Sequence, residues 1–532
     1  MSDPRPAPDA TGGGDRFDEP TRAVDPAPPG AVPRDGAGRR GADHGLTRVQ
    51  RGRGARPGDE FVRLSRNRDF RRVQPGHIVP REGAGGPNGG LGRALTAVKR
   101  FLVGPPIRTE DEPHERVNVF TGLAVFASDN ISSSAYATEE IMRVLILAGA
   151  GMLALTLPIT LAICVVLAIV VISYQQTISA YPSGGGSYIV ASDNLGPLPA
   201  LVAAAALLTD YILTVSVSIA AGVAALTSIF PGWFDYRVWI GVGFVVLLCI
   251  GNLRGIRESG AIFTAPTYVY LVAIFGLLGF GFFRYLTGTL PPYEPPNEWR
   301  QAAGTEALGL LLILRAFASG SVALTGTEAV SNGVPAFKPP EPKNAQRVLI
   351  MMGTFFALIF IGISFLAGQM GILPDPTEQE TVISQLTRTL VGDGTPYHYL
   401  VQISTSLLLV LAANTAFADF PRLSSILARD RFLPRMFQFR GERLAFNTGI
   451  VNLAVIAAVL IVVFQGSVTN LIPLYTVGVF VAFTLSQSGM VKHWWALRDR
   501  ERSWRRRAVI NGVGAVTTGI VAIEVAISKF AL

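Results

Sequence analysis

The chain begins with a polar segment and continues as long apolar runs separated by short polar loops. Residues 1–96 are rich in Gly, Pro, Arg and Asp, and their few apolar residues hardly cluster. Such a segment buries too little apolar surface to offset the entropy of ordering it, so we expect a disordered cytoplasmic tail. Residues 97–532 contain apolar runs of about 17–25 residues or more, the length that crosses a bilayer. This pattern predicts a transmembrane domain over 97–532.

The apolar runs predict an all-α integral membrane fold. They are apolar on all sides rather than along one stripe, which indicates that lipid surrounds the helices. We predict eleven spans, at 118–148, 150–174, 198–229, 237–252, 262–284, 308–334, 348–371, 397–428, 447–465, 468–491 and 508–529.

The positive charge of the chain predicts its orientation. The formal net charge is +8, and most Lys and Arg between the spans fall on one side when the N-terminus is placed in the cytoplasm. Membrane proteins keep these residues on the cytoplasmic side. We therefore predict a multi-pass plasma-membrane protein with a cytoplasmic N-terminus, in contact with lipid and not with nucleic acid. Cys164 and Cys249 lie inside apolar spans and are expected to be packing residues.

Span one carries polar residues at a depth where a membrane helix is normally apolar. Asp129 follows Ser128 and precedes a run of Asn and Ser that ends at Ser134. A charged side chain near the bilayer centre costs roughly 2.5–3.5 kcal/mol, so it usually faces protein or water and serves a function. Residues that hydrogen-bond the backbone are typical of a helix interrupted in mid-membrane. The pattern indicates a cation site at Asp129.

Span six has the same feature, because residues 319–328 combine glycines, hydroxyl groups and Glu328. Two interrupted spans at corresponding positions of two five-span halves predict an inverted-repeat transporter with its site at the breaks. The repeats would be about 118–284 and 308–491, with 508–529 as an extra helix. The alternative is a packing kink in a structural bundle, and acids at both breaks favour the transporter.

Span three adds a wall of oxygen atoms to the predicted site. Its polar side chains fall within a sector of roughly 100° on a helix, and they are Asp210, Tyr211, Thr214 and Ser218. Such oxygens suit hard cations, and no His/Cys cluster offers itself to a transition metal. A substrate carboxylate would be repelled by Asp129, so a small monovalent cation fits better. Glu328 and Asp210 are candidates for carrying a coupled proton.

Several segments resemble motifs of the potassium uptake permeases, which are KimA-type proton-coupled importers of the amino acid–polyamine–organocation superfamily with a LeuT-like fold. The matching segments are FASDNISSSAY at 126–136, YPSGGGSY at 181–188, DYILT at 210–214, NLRGIRESG at 252–260, ALTGTEA at 323–329 and FADFPR at 417–422. The similarity runs from about Val98 to the C-terminus. It implies a LeuT-like five-plus-five transporter that imports potassium with protons.

The resemblance also implies roles for individual residues. Potassium ligands would be Asp129, Tyr136, Tyr211, Ser218, Thr325 and Tyr475, and the proton path would include Glu328, Asp210 and Thr214. No cofactor is implied beyond the transported potassium and protons. Family members dimerise and respond to cyclic di-AMP through a domain after a twelfth span, whereas this chain stops at Leu532. A homodimer formed by that route and regulation by that nucleotide are therefore left open.

Two other functions fit the same pattern. The first is a permease for a cationic amino acid or polyamine on the same fold, which would require a wider pocket. The second is a transport-dead sensor or assembly subunit, suggested by the missing final span and the added tail. An enzyme is not expected, because no nucleophile–base pair or metal triad accompanies the acids.

Overall fold

The computed structural model describes residues 47–53, 60–66, 70–74, 77–80 and 116–530, except 185, 255–259, 297–298, 300–303, 305–306 and 441–445. The chain divides into two compact units, Met1–Arg93 and Ala94–Leu532.

The first unit contains two antiparallel hairpins. Strand β1 (Thr47–Arg53) pairs with β2 (Glu60–Arg66), and β3 (Phe70–Gln74) pairs with β4 (His77–Pro80). These four segments differ from the disorder predicted for residues 1–96. The physical reason is local, because apolar and polar residues alternate from Val62 to Ser65 in β2 with the two-residue period of a strand. The other residues of that predicted tail lie outside the described ranges.

The described part of the second unit is built from helices. They are α1 (Val119–Phe126), α2 (Ser128–Leu145), α3 (Thr156–Ala180), α4 (Ser187–Asn194), α5 (Pro197–Ile229), α6 (Arg237–Leu253), α7 (Gly260–Leu286), α8 (Leu310–Gly320), α9 (Thr327–Asn332), α10 (Glu341–Met370), α11 (Val382–Val391), α12 (Pro396–Arg429), α13 (Asn447–Val463), α14 (Val468–Ala496) and α15 (Trp504–Phe530).

The helices confirm the predicted all-α membrane class. Within the described ranges, nine helices are long and apolar enough to cross a membrane, and α13 is a shorter apolar helix. Span one is divided between α1 and α2. Each of the eleven predicted spans thus corresponds to a continuous helix or to a broken one. The short helices α4 and α11 lie outside the predicted spans.

Both predicted interruptions are present. α1 ends at Phe126, and α2 begins at Ser128, so Ala127 lies between the two helices. α8 is followed by a 3₁₀ turn at Ser321–Leu324, an extended Thr325, and Gly326 with φ of +76°. Residues with a side chain rarely adopt that φ, and a Cβ at Gly326 would also lie only 2.7 Å from the backbone nitrogen of Asn130. Glycine is therefore required at the second break.

The broken helices pack closely because small residues face them. In α8, a Cβ at Gly320 would lie 2.4 Å from Cγ1 of Ile141 in α2 and 2.8 Å from Cδ1 of Ile163 in α3. Membrane helices associate through such close contacts, since lipid supplies no hydrophobic drive between them. The helices of the first predicted repeat therefore contact the second break directly.

Gly320→Ala should lower the melting temperature of the purified protein in detergent. The added methyl group must push α2 and α8 apart, and overpacking of this kind costs about 1–3 kcal/mol. Gly243→Ala in α6 is the matched control, because no neighbouring atom lies within 4 Å of its Cβ position. A Gly320→Ala melting temperature equal to that of Gly243→Ala would contradict this packing.

Candidate cation site

One asparagine holds the two interruptions against each other. Nδ2 of Asn130, in the first turn of α2, donates to the backbone oxygens of Ala323 at 3.1 Å and Thr325 at 3.0 Å. Oγ of Ser133 lies 3.3 Å from Oγ1 of Thr325. Asn130, Ser133 and Thr325 are fully buried. The interrupted helices therefore meet in a buried, hydrogen-bonded junction.

Three predicted acids line one small cavity beside this junction. Asp129, Asp210 and Glu328 contribute to its wall, and all three are buried. The cavity measures about 10 Å³, which is room for a single water-sized body. The other lining residues are Leu207, Tyr211, Gly326, Ala329, Thr415, Asp419, Val479 and Phe483.

Asp129 and Asp210, which line this cavity, each have a carboxylate oxygen without a hydrogen-bond partner. Among the described residues, Oδ1 of both acids is buried without a hydrogen-bond partner. An unpaired buried carboxylate oxygen is costly, so a cation entering the cavity would be stabilised by both. The absent side chain of Gly326 leaves room for Asp129, whose Oδ2 lies 2.8 Å from the position of a Cβ there.

Glu328 has a different environment, because both of its carboxylate oxygens accept hydrogen bonds. The backbone nitrogen of Ser187 donates to Oε1 at 2.6 Å, and Oγ of Ser187 donates to Oε2 at 2.7 Å. The hydroxyl of Tyr174 donates to Oε2 at 3.4 Å. Ser187 is the first residue of α4, so the positive end of that short helix faces the carboxylate. Glu328 therefore ties α4 to the second break.

Three of the predicted hydroxyl ligands lie at the cavity or the junction. Tyr211 lines the cavity, and its hydroxyl accepts a hydrogen bond from Nδ2 of Asn332 at 3.1 Å. The hydroxyl of Tyr136 lies 2.9 Å from Oγ of Ser133. Thr325 belongs to the junction through its carbonyl oxygen and its hydroxyl.

The other three predicted hydroxyl groups lie outside the cavity wall. Oγ1 of Thr214 is 2.7 Å from the hydroxyl of Tyr475, which joins α5 to α14. Ser218 is buried one turn further along α5. In the described part of the chain, these three residues do not line the cavity that contains Asp129.

Two residues of α12 line the cavity without having been predicted as ligands. Thr415 and Asp419 are four residues apart and therefore share one face of the helix. This spacing within an apolar span is the signal that could have indicated them. In the described part of the chain, no three His, Cys, Asp or Glu side chains are close enough to hold one metal ion. The acids therefore share a wall without converging on one point.

Two larger cavities lie near the site. The first vestibule has a volume of about 340 Å³, and its wall includes Tyr136, Glu140 and the ion pair of Glu139 with Arg143, whose atoms are 2.5 Å apart. The second vestibule has a volume of about 240 Å³. Its wall includes Gly184, Tyr188, Leu207, Tyr211, Asn332, Asp419 and Arg422.

Comparison with known proteins assigns the family. The amino acid permease family model matches residues 117–530. The chain belongs to the amino acid permease family. This permease is 43% identical over 434 residues to the potassium transporter KimA of Bacillus subtilis, covering 82% of this chain and 70% of that protein. The resemblance found in the motifs is confirmed, and the permease is a membrane transporter rather than an enzyme.

More distant similarities extend over most of the permease. It is 21% identical over 374 residues to the low-affinity putrescine importer PlaP of Escherichia coli, covering 68% of this chain and 79% of that protein. A solved structure of a Na⁺-coupled sialic acid symporter aligns with 83% of this chain and 95% of its own, at 10% identity and a TM-score of 0.46. A solved structure of a mutant of the Eremococcus coleocola manganese transporter aligns with 80% of this chain and 90% of its own, at 14% identity and a TM-score of 0.44.

Asn130→Asp should destabilise the permease in detergent. Aspartate keeps the shape of asparagine but removes the two donated hydrogen bonds and places a carboxylate against two carbonyl oxygens. Each buried polar group left without its partner costs about 1–3 kcal/mol. Asn344→Asp is the matched control, since Nδ2 of Asn344 donates to the oxygen of Lys338 at 2.8 Å at an exposed site. If thermal unfolding places both variants at the same melting temperature, the junction does not depend on Asn130.

Proposed function

We propose that this permease imports potassium coupled to protons across the plasma membrane, with its N-terminus in the cytoplasm. The observation that carries the proposal is that Asp129 lines a cavity of single-ion size and has a buried Oδ1 without a hydrogen-bond partner. The potassium transporter at 43% identity supports the same cation. The positive charge of the loop at 492–507 supports the orientation.

The cavity would hold a dehydrated potassium ion through oxygen atoms. Asp129 supplies the negative charge, Tyr211 a phenolic oxygen, and Thr325 belongs to the junction that fixes the position of Asp129. Oxygen ligands of this kind suit a hard cation. Tyr136 would border the route from the first vestibule, while Ser218 and Tyr475 would act further along the route, outside the cavity wall.

Coupling to protons would use Glu328, Asp210 and Thr214. A carboxylate at Glu328 accepts two hydrogen bonds from Ser187, and charge-assisted bonds of this kind are roughly twice as strong as neutral ones. A proton on Glu328 would therefore weaken the contact between the second break and α4. That helix contributes Tyr188 to the second vestibule, so proton binding would loosen the wall of that vestibule.

A permease for polyamines is the second candidate, because PlaP, at 21% identity, is a putrescine importer. Putrescine is a four-carbon chain with an ammonium group at each end. A cavity with room for one water-sized body favours a monatomic ion over such a chain.

Asp129→Asn should reduce potassium uptake into proteoliposomes to the level of protein-free liposomes. The variant keeps the size of the side chain but removes the charge that offsets dehydration of the ion. Asp499→Asn is the control, since that aspartate is 87% exposed and lies outside the cavity. Putrescine is added as a competitor in the same assay. Normal uptake by Asp129→Asn would refute the site, and inhibition by putrescine at concentrations similar to potassium would favour the polyamine importer.

Glu328→Gln should remove the dependence of potassium uptake on an inward proton gradient. Glutamine keeps the shape of the side chain but cannot exchange a proton. The measurement is potassium uptake with and without an imposed gradient, in wild type and variant. Glu328→Gln changes both proton exchange and the hydrogen bonds of the side chain. Ser187→Ala distinguishes these two effects, because it removes one hydrogen bond to Glu328 and leaves its carboxyl group. A Glu328→Gln variant that still responds to the gradient would exclude Glu328 from coupling.

A further inference from the structure

The small cavity and the second vestibule share part of their walls. Within the described ranges, three residues line both spaces, namely Leu207, Tyr211 and Asp419. A side chain that faces both spaces forms the partition between them. These three residues therefore border a direct passage from the cavity to the vestibule.

Only one of the three residues offers a full negative charge. Leu207 is apolar, and it is 3% exposed. Tyr211 contributes a neutral phenolic oxygen, which attracts a cation less strongly than a carboxylate does. Asp419 is 9% exposed and presents a carboxylate at the partition.

We propose that Asp419 is a transfer site for the cation between the cavity and the second vestibule. The inference rests on the proposed cation transport and adds a residue to which no role in it has been given above. An ion that leaves Asp129 without another anion nearby would cross a region of low dielectric constant, where its energy is high. The carboxylate of Asp419 lowers that barrier, because the ion exchanges one acid for the next.

A nearby arginine explains why the ion does not remain at Asp419. Arg422 is three residues further along α12 and lines the second vestibule but not the cavity. Its positive charge raises the energy of a cation in the vestibule and favours release to the solvent. Conduction in general requires sites that bind strongly enough to accept an ion and weakly enough to release it.

The test compares potassium binding with potassium transport. Binding of KCl to purified protein is measured by calorimetry, and the maximal uptake rate is measured in proteoliposomes. Asp419→Asn should lower the maximal rate at least tenfold and still bind potassium, with the dissociation constant raised by a smaller factor than the rate is lowered, because Asp419 also lines the cavity. Asp419→Glu should recover at least a third of the wild-type rate, because it restores the charge. Retained binding also shows that the variants are folded.

Two variants serve as comparisons. Asp129→Asn should lose binding and transport together, and Thr415→Val tests a residue that lines the cavity but not the vestibule. An Asp419→Asn rate within twofold of wild type would overturn the transfer site and leave the proposed function intact. Parallel loss of binding and rate in Asp419→Asn would also overturn it, because Asp419 would then belong to the cavity site. Absence of potassium binding to the wild type would instead refute the proposed function.

Discussion

The amide of Asn130 is the interaction on which the site depends. A helix interrupted in mid-membrane leaves backbone groups without partners, and lipid offers none in exchange. Asn130 satisfies two such carbonyl oxygens, those of Ala323 and Thr325, and thereby joins the two breaks. Asp129 precedes Asn130, and Glu328 follows Thr325 by three residues. The same contact therefore fixes the positions of two of the acids that line the cavity.

The acids of the cavity differ in what surrounds them, although each is a buried carboxylate. Asp129 and Asp210 each have one carboxylate oxygen without a hydrogen-bond partner, whereas both oxygens of Glu328 accept hydrogen bonds from Ser187. An open oxygen can receive an ion at once. An oxygen that already has donors must lose them first, so Glu328 is suited to controlling a helix contact rather than to holding the ion. The two proposed roles, ion binding and proton coupling, follow from this difference.

Much of the fold could be predicted because membrane spans are a local property of the sequence. Span length and the polar interruptions around Asp129 and Glu328 follow directly from hydropathy, and the structure has helices or broken helices at each predicted position. The short helices α4 and α11 were missed because eight and ten residues of mixed polarity do not reach membrane thickness. Glu139 and Arg143 form an ion pair because they are one helical turn apart, a contact that also depends only on local spacing.

The sequence by itself determined that the chain is a helical membrane protein, where its two helices break, and which acids lie at those breaks. Only the tertiary structure decided that Asp129 and Asp210 have a carboxylate oxygen without a hydrogen-bond partner, and that Glu328 accepts hydrogen bonds. It also decided that Asp419 lines both the cavity and the second vestibule. Ser187 and Glu328 are 141 residues apart, and no periodicity in the chain links them. Asp419 reaches the cavity only because α12 packs along α5. Hydrogen-bond partners and shared cavities depend on how distant helices pack, and a pattern along one helix does not contain that information.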